Sequence, residues 1–175
     1  PLNLEMANVE SIVEIALNVL PAEVCLVPEK RQELTTEGGL DVQGHYESLK
    51  TTVESLSDAG IVVSLFVDAD ENMLTACKEI GAPVVELHTG AYCDAEANER
   101  PALLEQLIRC ADHAHSLGLT VNAGHGINLE NLGGILCIPH LDTLNIGHSI
   151  VCRSVFHGLE TAVKEMLEAI QEYEG

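Results

Sequence analysis

Tryptophan is absent from this 175-residue chain, and the aromatic set is three tyrosines and two phenylalanines. Surfaces that hold nucleic-acid bases stack them on aromatic platforms, so that class of partner loses its usual means of contact. Positive charge is equally scarce. Eight Lys and Arg stand against 28 Asp and Glu, a formal net charge of −20, and such a surface repels both a duplex and an anionic membrane. No apolar run approaches the ~18 residues of a membrane span, and no signal-peptide pattern opens the sequence. The six cysteines, Cys25, Cys77, Cys93, Cys110, Cys137 and Cys152, form no CxxC pair. Set in apolar stretches such as EVCLV and GGILCI, they read as buried, reduced thiols. Together these absences predict a cytoplasmic globular protein that binds neither nucleic acid nor membrane.

What is present is aliphatic. Hydrophobic residues make up 46% of the chain, almost all Leu, Val, Ile and Ala, a mix suited to parallel strands buried under helices. Strands are predicted at 2–6, 23–27, 61–67, 83–88, 119–122 and 143–146, with helical periodicity between them at 9–20, 42–58, 69–80, 98–117 and 158–172. No linker or low-complexity tract interrupts the series, so residues 1–175 read as one domain. Side-chain parity then selects the architecture. Asn3 and Glu5 share a strand face, as do Ser64, Phe66 and Asp68, Glu86 and His88, Thr120 and Asn122, and Thr143 and Asn145, while the opposite parity is apolar. Polar groups gathered toward the C-terminal ends of parallel strands match the mouth of a (β/α)₈ TIM barrel. Six βα units supply only part of a fold that takes about 250 residues when complete.

Several residues at that mouth could do chemistry. Glu5, on the polar face of the first strand, suits an acid/base role. Glu86 and His88 project together in VVELHTG, where they could position a substrate hydroxyl, form a structural pair, or join Glu5 and His125 around a divalent metal. The polar segment 28–41, PEKRQELTTEGGLD, is too long for a plain connection and reads as a substrate-binding loop. Two short motifs, NAGHG at 122–126 and NIGH at 145–148, each end a strand on Asn with Gly and His beyond it. The second runs into SIVCRSVFHG, a short helix whose free N-terminal N–H groups would hold an anion without basic side chains. A phosphorylated small molecule is therefore compatible with the negative net charge, with His125 and His148 as acid/base groups or phosphate ligands.

The segments NLEMA, CLVPEKRQELTTEGGLDV, DAGIVVSLFVDAD, ELHTGAYCDA, SLGLTVNAGHGIN and LNIGHSIVCRSVFHGLETAV together resemble the pyridoxine 5′-phosphate synthase family, in order and over nearly the whole chain. The resemblance implies a cytoplasmic, homo-oligomeric TIM-barrel transferase of vitamin B6 biosynthesis that needs no metal or organic cofactor. It implies condensation of 1-deoxy-D-xylulose 5-phosphate with 3-amino-2-oxopropyl phosphate, closing the pyridoxine ring with loss of phosphate and water. Carried over by motif, Glu5 and His125 are similar to catalytic acid/base residues. Thr35, Glu86 and Gly126 match substrate contacts, and Gly147 and His148 match a phosphate cradle. Family members carry two further βα units ahead of NLEMA, with an Asn-Ile-Asp-His segment and a His-Leu-Arg-Glu-Asp-Arg-Arg segment. Neither occurs here, so the expectation is strands three to eight of a barrel that is inactive as this polypeptide alone. Three alternatives remain open: another phosphate-binding barrel, a metal-dependent barrel hydrolase, and a truncated non-catalytic homologue serving as an assembly or interaction subunit.

Overall fold

A computed structural model describes residues 1–28 and 38–172. Six strands alternate with helices: β1 (Asn3–Ala7), α1 (Glu10–Val19), β2 (Glu23–Val27), α2 (Tyr46–Asp58), β3 (Val62–Val67), α3 (Glu71–Ile80) and β4 (Val84–His88). Then follow α4 (Gly90–Asp94), α5 (Arg100–Ser116), β5 (Thr120–Gly124), α6 (Leu132–Ile135), β6 (Leu141–Asn145), α7 (His148–His157) and α8 (Leu159–Gln171). All six predicted strands occur. The short helices α4 and α6 were not predicted, because four or five residues carry too little periodicity to read.

Local chemistry explains the boundaries. Asp70 caps α3 by accepting from the Asn72 and Met73 N–H groups at 2.9 and 3.0 Å, a contact worth about 1 kcal/mol. Gly81 ends the same helix at φ 95°, a left-handed conformation that costs a Cβ-free residue little. Pro101 sits in the first turn of α5, where its missing N–H breaks no helical bond.

The sheet is wholly parallel, its strands adjacent in chain order from β1 to β6. With helices alternating along it, this is a half-barrel of the TIM type. Among the described residues β1 and β6 each pair on one side only. One parity of the central strands, Val24, Leu26, Val63, Leu65, Val67, Val85, Leu87 and Val121, is buried in the hydrophobic core with Leu49, Val53 and Leu56 of α2, Leu74 and Ile80 of α3, and Leu107 and Ala111 of α5. None of the six cysteines is in a disulfide, but only Cys25, Cys77, Cys93 and Cys110 are buried. Cys137 and Cys152 are exposed, against expectation: Cys137 lies in an irregular stretch after α6, where a run of apolar letters does not specify which side faces inward. No helix among the described residues is long and apolar enough to cross a membrane.

Candidate active site

Register places the polar parity in rows. Glu86 of β4 is level with Asn122 of β5, and His88, Gly124 and Asn145 lie level on β4, β5 and β6. Glu86 is only 6% exposed. Its Oε2 accepts from Asn145 Nδ2–H at 2.7 Å and from the Cys25 thiol at 3.3 Å. Burial pushes the Glu86 carboxyl up, the Cys25 and Asn145 hydrogen bonds pull it back, and the nearby Glu5 charge adds to the rise. The Cys25 thiol is itself held protonated by burial and by the adjacent carboxylate, so it acts as a donor.

Gly124 makes this arrangement possible. A Cβ there would lie 2.0 Å from Glu86 Oε1 and 3.1 Å from Asn145 Cβ. The first glycine of NAGHG thus serves close approach, and the strand-ending Asn of NIGH serves as the carboxylate's donor.

Beyond Gly124 the chain turns through two left-handed residues, His125 at φ 78° and Gly126 at φ 76°. A non-glycine residue in that region must be held there by its surroundings. Thr89, fully buried, supplies the hold. Its hydroxyl contacts the Gly124 carbonyl at 2.8 Å and the His125 carbonyl at 2.6 Å, and its N–H donates to the Gly124 carbonyl at 2.9 Å. Asn131 Nδ2–H donates to the Gly126 carbonyl at 3.0 Å from the other side. The result presents the His125 side chain to solvent at the strand ends, with exposed Gly126 beside it.

His88 is 8% exposed and faces the same rim. Its Nδ1 is 2.8 Å from Asp68 Oδ1, the atom that also accepts the Gly39 N–H at 3.0 Å. The imidazole lies 4.9 Å from the Phe66 ring and 5.1 Å from the His125 ring, centroid to centroid. Gly39 is as constrained as Gly124: a Cβ on it would meet Asp68 N at 2.3 Å. The Gly39–Leu40 backbone thereby docks onto the end of β3, Leu40 N–H donating to the Phe66 carbonyl at 2.8 Å.

The remaining predicted residues fall as follows. Gly147 is the N-cap of α7 and His148 its first residue, both exposed. Ser149 Oγ donates to the Ile127 carbonyl at 2.7 Å, tying that helix start to the segment after β5. Glu5 stands level with Cys25 on edge strand β1, but it is exposed rather than set in apolar surroundings, because β1 has a neighbour on one side only. Thr35, and residues 29–37 of the predicted binding loop, lie outside the described residues. Among the described residues no three His, Cys, Asp or Glu side chains are grouped to hold a metal ion; Glu86 is instead engaged by Cys25 and Asn145. Sequence reasoning missed Cys25, Thr89 and Asn131 as parts of the site. Cys25 shares the parity of Val27 and Glu23 and could have been placed; the two backbone clamps carry no sequence signal.

Comparison with known proteins places the chain in a family. The family model described as pyridoxal phosphate biosynthesis protein PdxJ matches residues 1–172. A pyridoxine 5′-phosphate synthase from Photobacterium profundum is 54% identical over 166 residues, covering 94% of this chain and 68% of its own length. Proteins of the same name from Idiomarina loihiensis and Akkermansia muciniphila are 52% and 50% identical, covering 95% and 97% of this chain and 69% and 70% of theirs. Among solved structures, a xylose isomerase domain protein from Planctomyces limnophilus superposes with a TM-score of 0.59 at 15% identity, over 99% of this chain and 71% of that one. The Amycolatopsis orientalis BexX/CysO complex gives 0.56 at 20% identity, over 92% and 61%. Both show likeness of fold alone.

Proposed function

The chain belongs to the PdxJ family of pyridoxal phosphate biosynthesis proteins, and on that premise we propose that it carries part of the active site of a pyridoxine 5′-phosphate synthase. The substrates under this reading are 1-deoxy-D-xylulose 5-phosphate and 3-amino-2-oxopropyl phosphate, and the reaction is a ring-closing condensation that releases phosphate and water. Imine formation, dehydration and aromatisation each move protons, so a pocket needs more than one acid/base group. The observation that carries the reading is the presence on one rim of Glu86, buried and held by Cys25 and Asn145, and of His125, presented just past the end of the adjoining strand by its left-handed turn. A carboxyl pushed up by burial keeps its proton further toward neutral pH than an exposed one, and it can donate a hydrogen bond to a substrate hydroxyl or carbonyl. His125 exchanges protons at the rim. The N–H groups opening α7 beside Gly147 and His148 take a phosphate, and Glu5 and Thr35 complete the set. No metal or organic cofactor enters this scheme, and the protein is proposed to work in the cytoplasm as a homo-oligomer.

The open sheet bears on turnover. With Glu5 exposed on an edge strand, a buried reaction chamber does not enclose it, and the 175-residue chain alone is expected to be silent. The test supplies both substrates and follows pyridoxine 5′-phosphate and phosphate release. It is run on the chain alone and after co-folding with a polypeptide carrying the two βα units that the family places before NLEMA. Product from the mixture, lost in Glu86→Gln and His125→Asn, supports the synthase reading. Product from the chain alone removes the claim that it is silent. A folded mixture without product sinks the synthase reading and leaves the non-catalytic subunit.

A further inference from the structure

We propose that Asp68 and His88 form a positioning pair that sets the orientation of the His125 imidazole from behind. The inference rests on the reading of His125 as an acid/base group. It starts from an asymmetry in His88. An ionised carboxylate only accepts hydrogen bonds, so at 2.8 Å from Asp68 Oδ1 the Nδ1 of His88 must be the nitrogen that carries hydrogen. In neutral His88 that leaves Nε2 as a bare acceptor, and among the described residues this buried atom has no hydrogen-bond partner. Nε2 lacks a partner in either tautomer, so the choice is made at Nδ1, where Asp68 requires the hydrogen.

The bare edge has a definite neighbour. A Cβ on Gly90 would lie 2.5 Å from His88 Nε2 and 3.0 Å from His125 Cδ2. Both atoms therefore converge on the small space that the missing side chain of Gly90 leaves open. The His88 and His125 rings meet there edge to face, 61° apart in plane, and Phe66 lies beside both, its ring centroid 4.9 Å from that of His88 and 6.5 Å from that of His125. The Thr89 clamp fixes the backbone of His125 and leaves its ring to other contacts. The His88 ring packs against it, and it can hold that contact in one orientation because its own rotation is stopped by Asp68. Asp68 in turn is held by the Gly39 N–H at 3.0 Å. The chain of support runs from Gly39 through Asp68 and His88 to His125. Neither Asp68 nor His88 is assigned to substrate, so both are positioning residues.

The test is ¹⁵N-resolved histidine NMR on the 175-residue chain, comparing wild type with Asp68→Ala, Asp68→Asn and His88→Phe. Wild-type His88 is expected as a single tautomer with hydrogen on Nδ1. Asp68→Ala removes the tether, so the single-tautomer pattern of His88 is lost and the ring resonances of His125 shift. Asp68→Asn still offers Oδ1 to both donors and is expected to return both signals toward wild type. His88→Phe keeps a ring of similar size against Phe66 but drops the tether, so His125 is expected to shift there too. Wild-type His125 resonances in Asp68→Ala, with His88 altered, would overturn the proposal. So would wild-type His125 resonances in His88→Phe, which would reduce His88 to packing, or hydrogen on Nε2 in wild-type His88. The two readings fail separately: turnover retained by His125→Asn in the co-folded mixture would remove the role of His125, yet leave the effect of Asp68 on its ring in place.

Discussion

The centre of the sheet and its β6 end are built to different standards. On β3, β4 and β5 the helix-facing side chains Val63, Leu65, Val85, Leu87 and Val121 are at most 1% exposed. At the other end, β6 has no fully buried residue and α7 has none either. There Val151, Val155, Phe156, Leu159 and Leu167 face outward, and α7 is tied to α8 by the Arg153–Glu165 ion pair. The proposed proton-handling groups Glu86 and His125 stand on or beside the tightly packed strands. The proposed phosphate cradle at Gly147 and His148 stands on the loosely held helix. Among the described residues β6 is paired on one side only, so its side chains and those of the helix after it have less to pack against, and the difference between the two regions follows from position in the sheet.

The comparison makes its largest demand on stability. Leu87→Ala, in the middle of the packed region, is expected to destabilise the protein by about 2–5 kcal/mol, read from urea unfolding. A loss no larger than that of a substitution in α7 would erase the distinction between the two regions. Gly124→Ala follows. Its methyl would overlap Glu86 Oε1, 2.0 Å away, and relief requires breaking the Asn145 hydrogen bond or shifting β5. A cost of about 1–3 kcal/mol is expected, together with loss of the Asn145 side-chain amide signal shift that marks its bond to Glu86. An unchanged signal would mean that the carboxylate does not depend on the bare backbone at Gly124.

The same division governs how much could be read from sequence. The strands were legible because Val-, Leu- and Ile-rich runs recur between helical patterns, and parity alone put Glu86, His88 and Asn145 on one face. Register was not legible. That Glu86 reaches Asn145 across Gly124 depends on strand stagger and on the irregularity between Val121 and Asn122, which no local pattern encodes. Nor does sequence distinguish a buried strand position from an edge one: Glu5 and Glu86 sit in similar apolar contexts, yet one is exposed and the other is 6% exposed. The left-handed turn at His125 was half legible. Gly126 suggested it, but the Thr89 and Asn131 clamps that hold it come from 36 and 5 residues away.

Two carboxylates at the rim carry the comparison into pH. Glu86 is pushed up chiefly by burial, so between its unfolded value, about 4.3, and its folded one the native state holds a proton that the unfolded chain has released. Its contribution is full below the unfolded value and is lost as pH rises through the folded value. Asp68 is pulled down, first by its hydrogen bond with His88, so its contribution is present above about 3.9 and is lost as pH falls through the folded value. Urea midpoints of Glu86→Gln are therefore expected to gain on wild type as pH rises above about 4. Those of Asp68→Asn are expected to fall behind wild type as pH rises toward about 3.9 and to keep a constant deficit above it. Parallel curves for the two variants would mean that the buried and exposed carboxylates are not tuned in opposite directions.

The smallest expected effect lies at the β6 end. Phe156 is 85% exposed and its neighbour Val155 76%, so in an isolated chain neither side chain has much burial to lose. Phe156→Ala is then expected to move stability by no more than about 0.5 kcal/mol, where a buried Phe would cost about 3–5 kcal/mol. The measurement is the unfolding midpoint at two protein concentrations. A small effect at both keeps the helix end as the lightly held partner of a rigid centre. A loss that grows with concentration would mean that copies of the chain bury this face against one another, as the expected homo-oligomer allows. The phosphate cradle would then owe its placement to assembly, and the contrast between the two regions would belong to the separated chain alone.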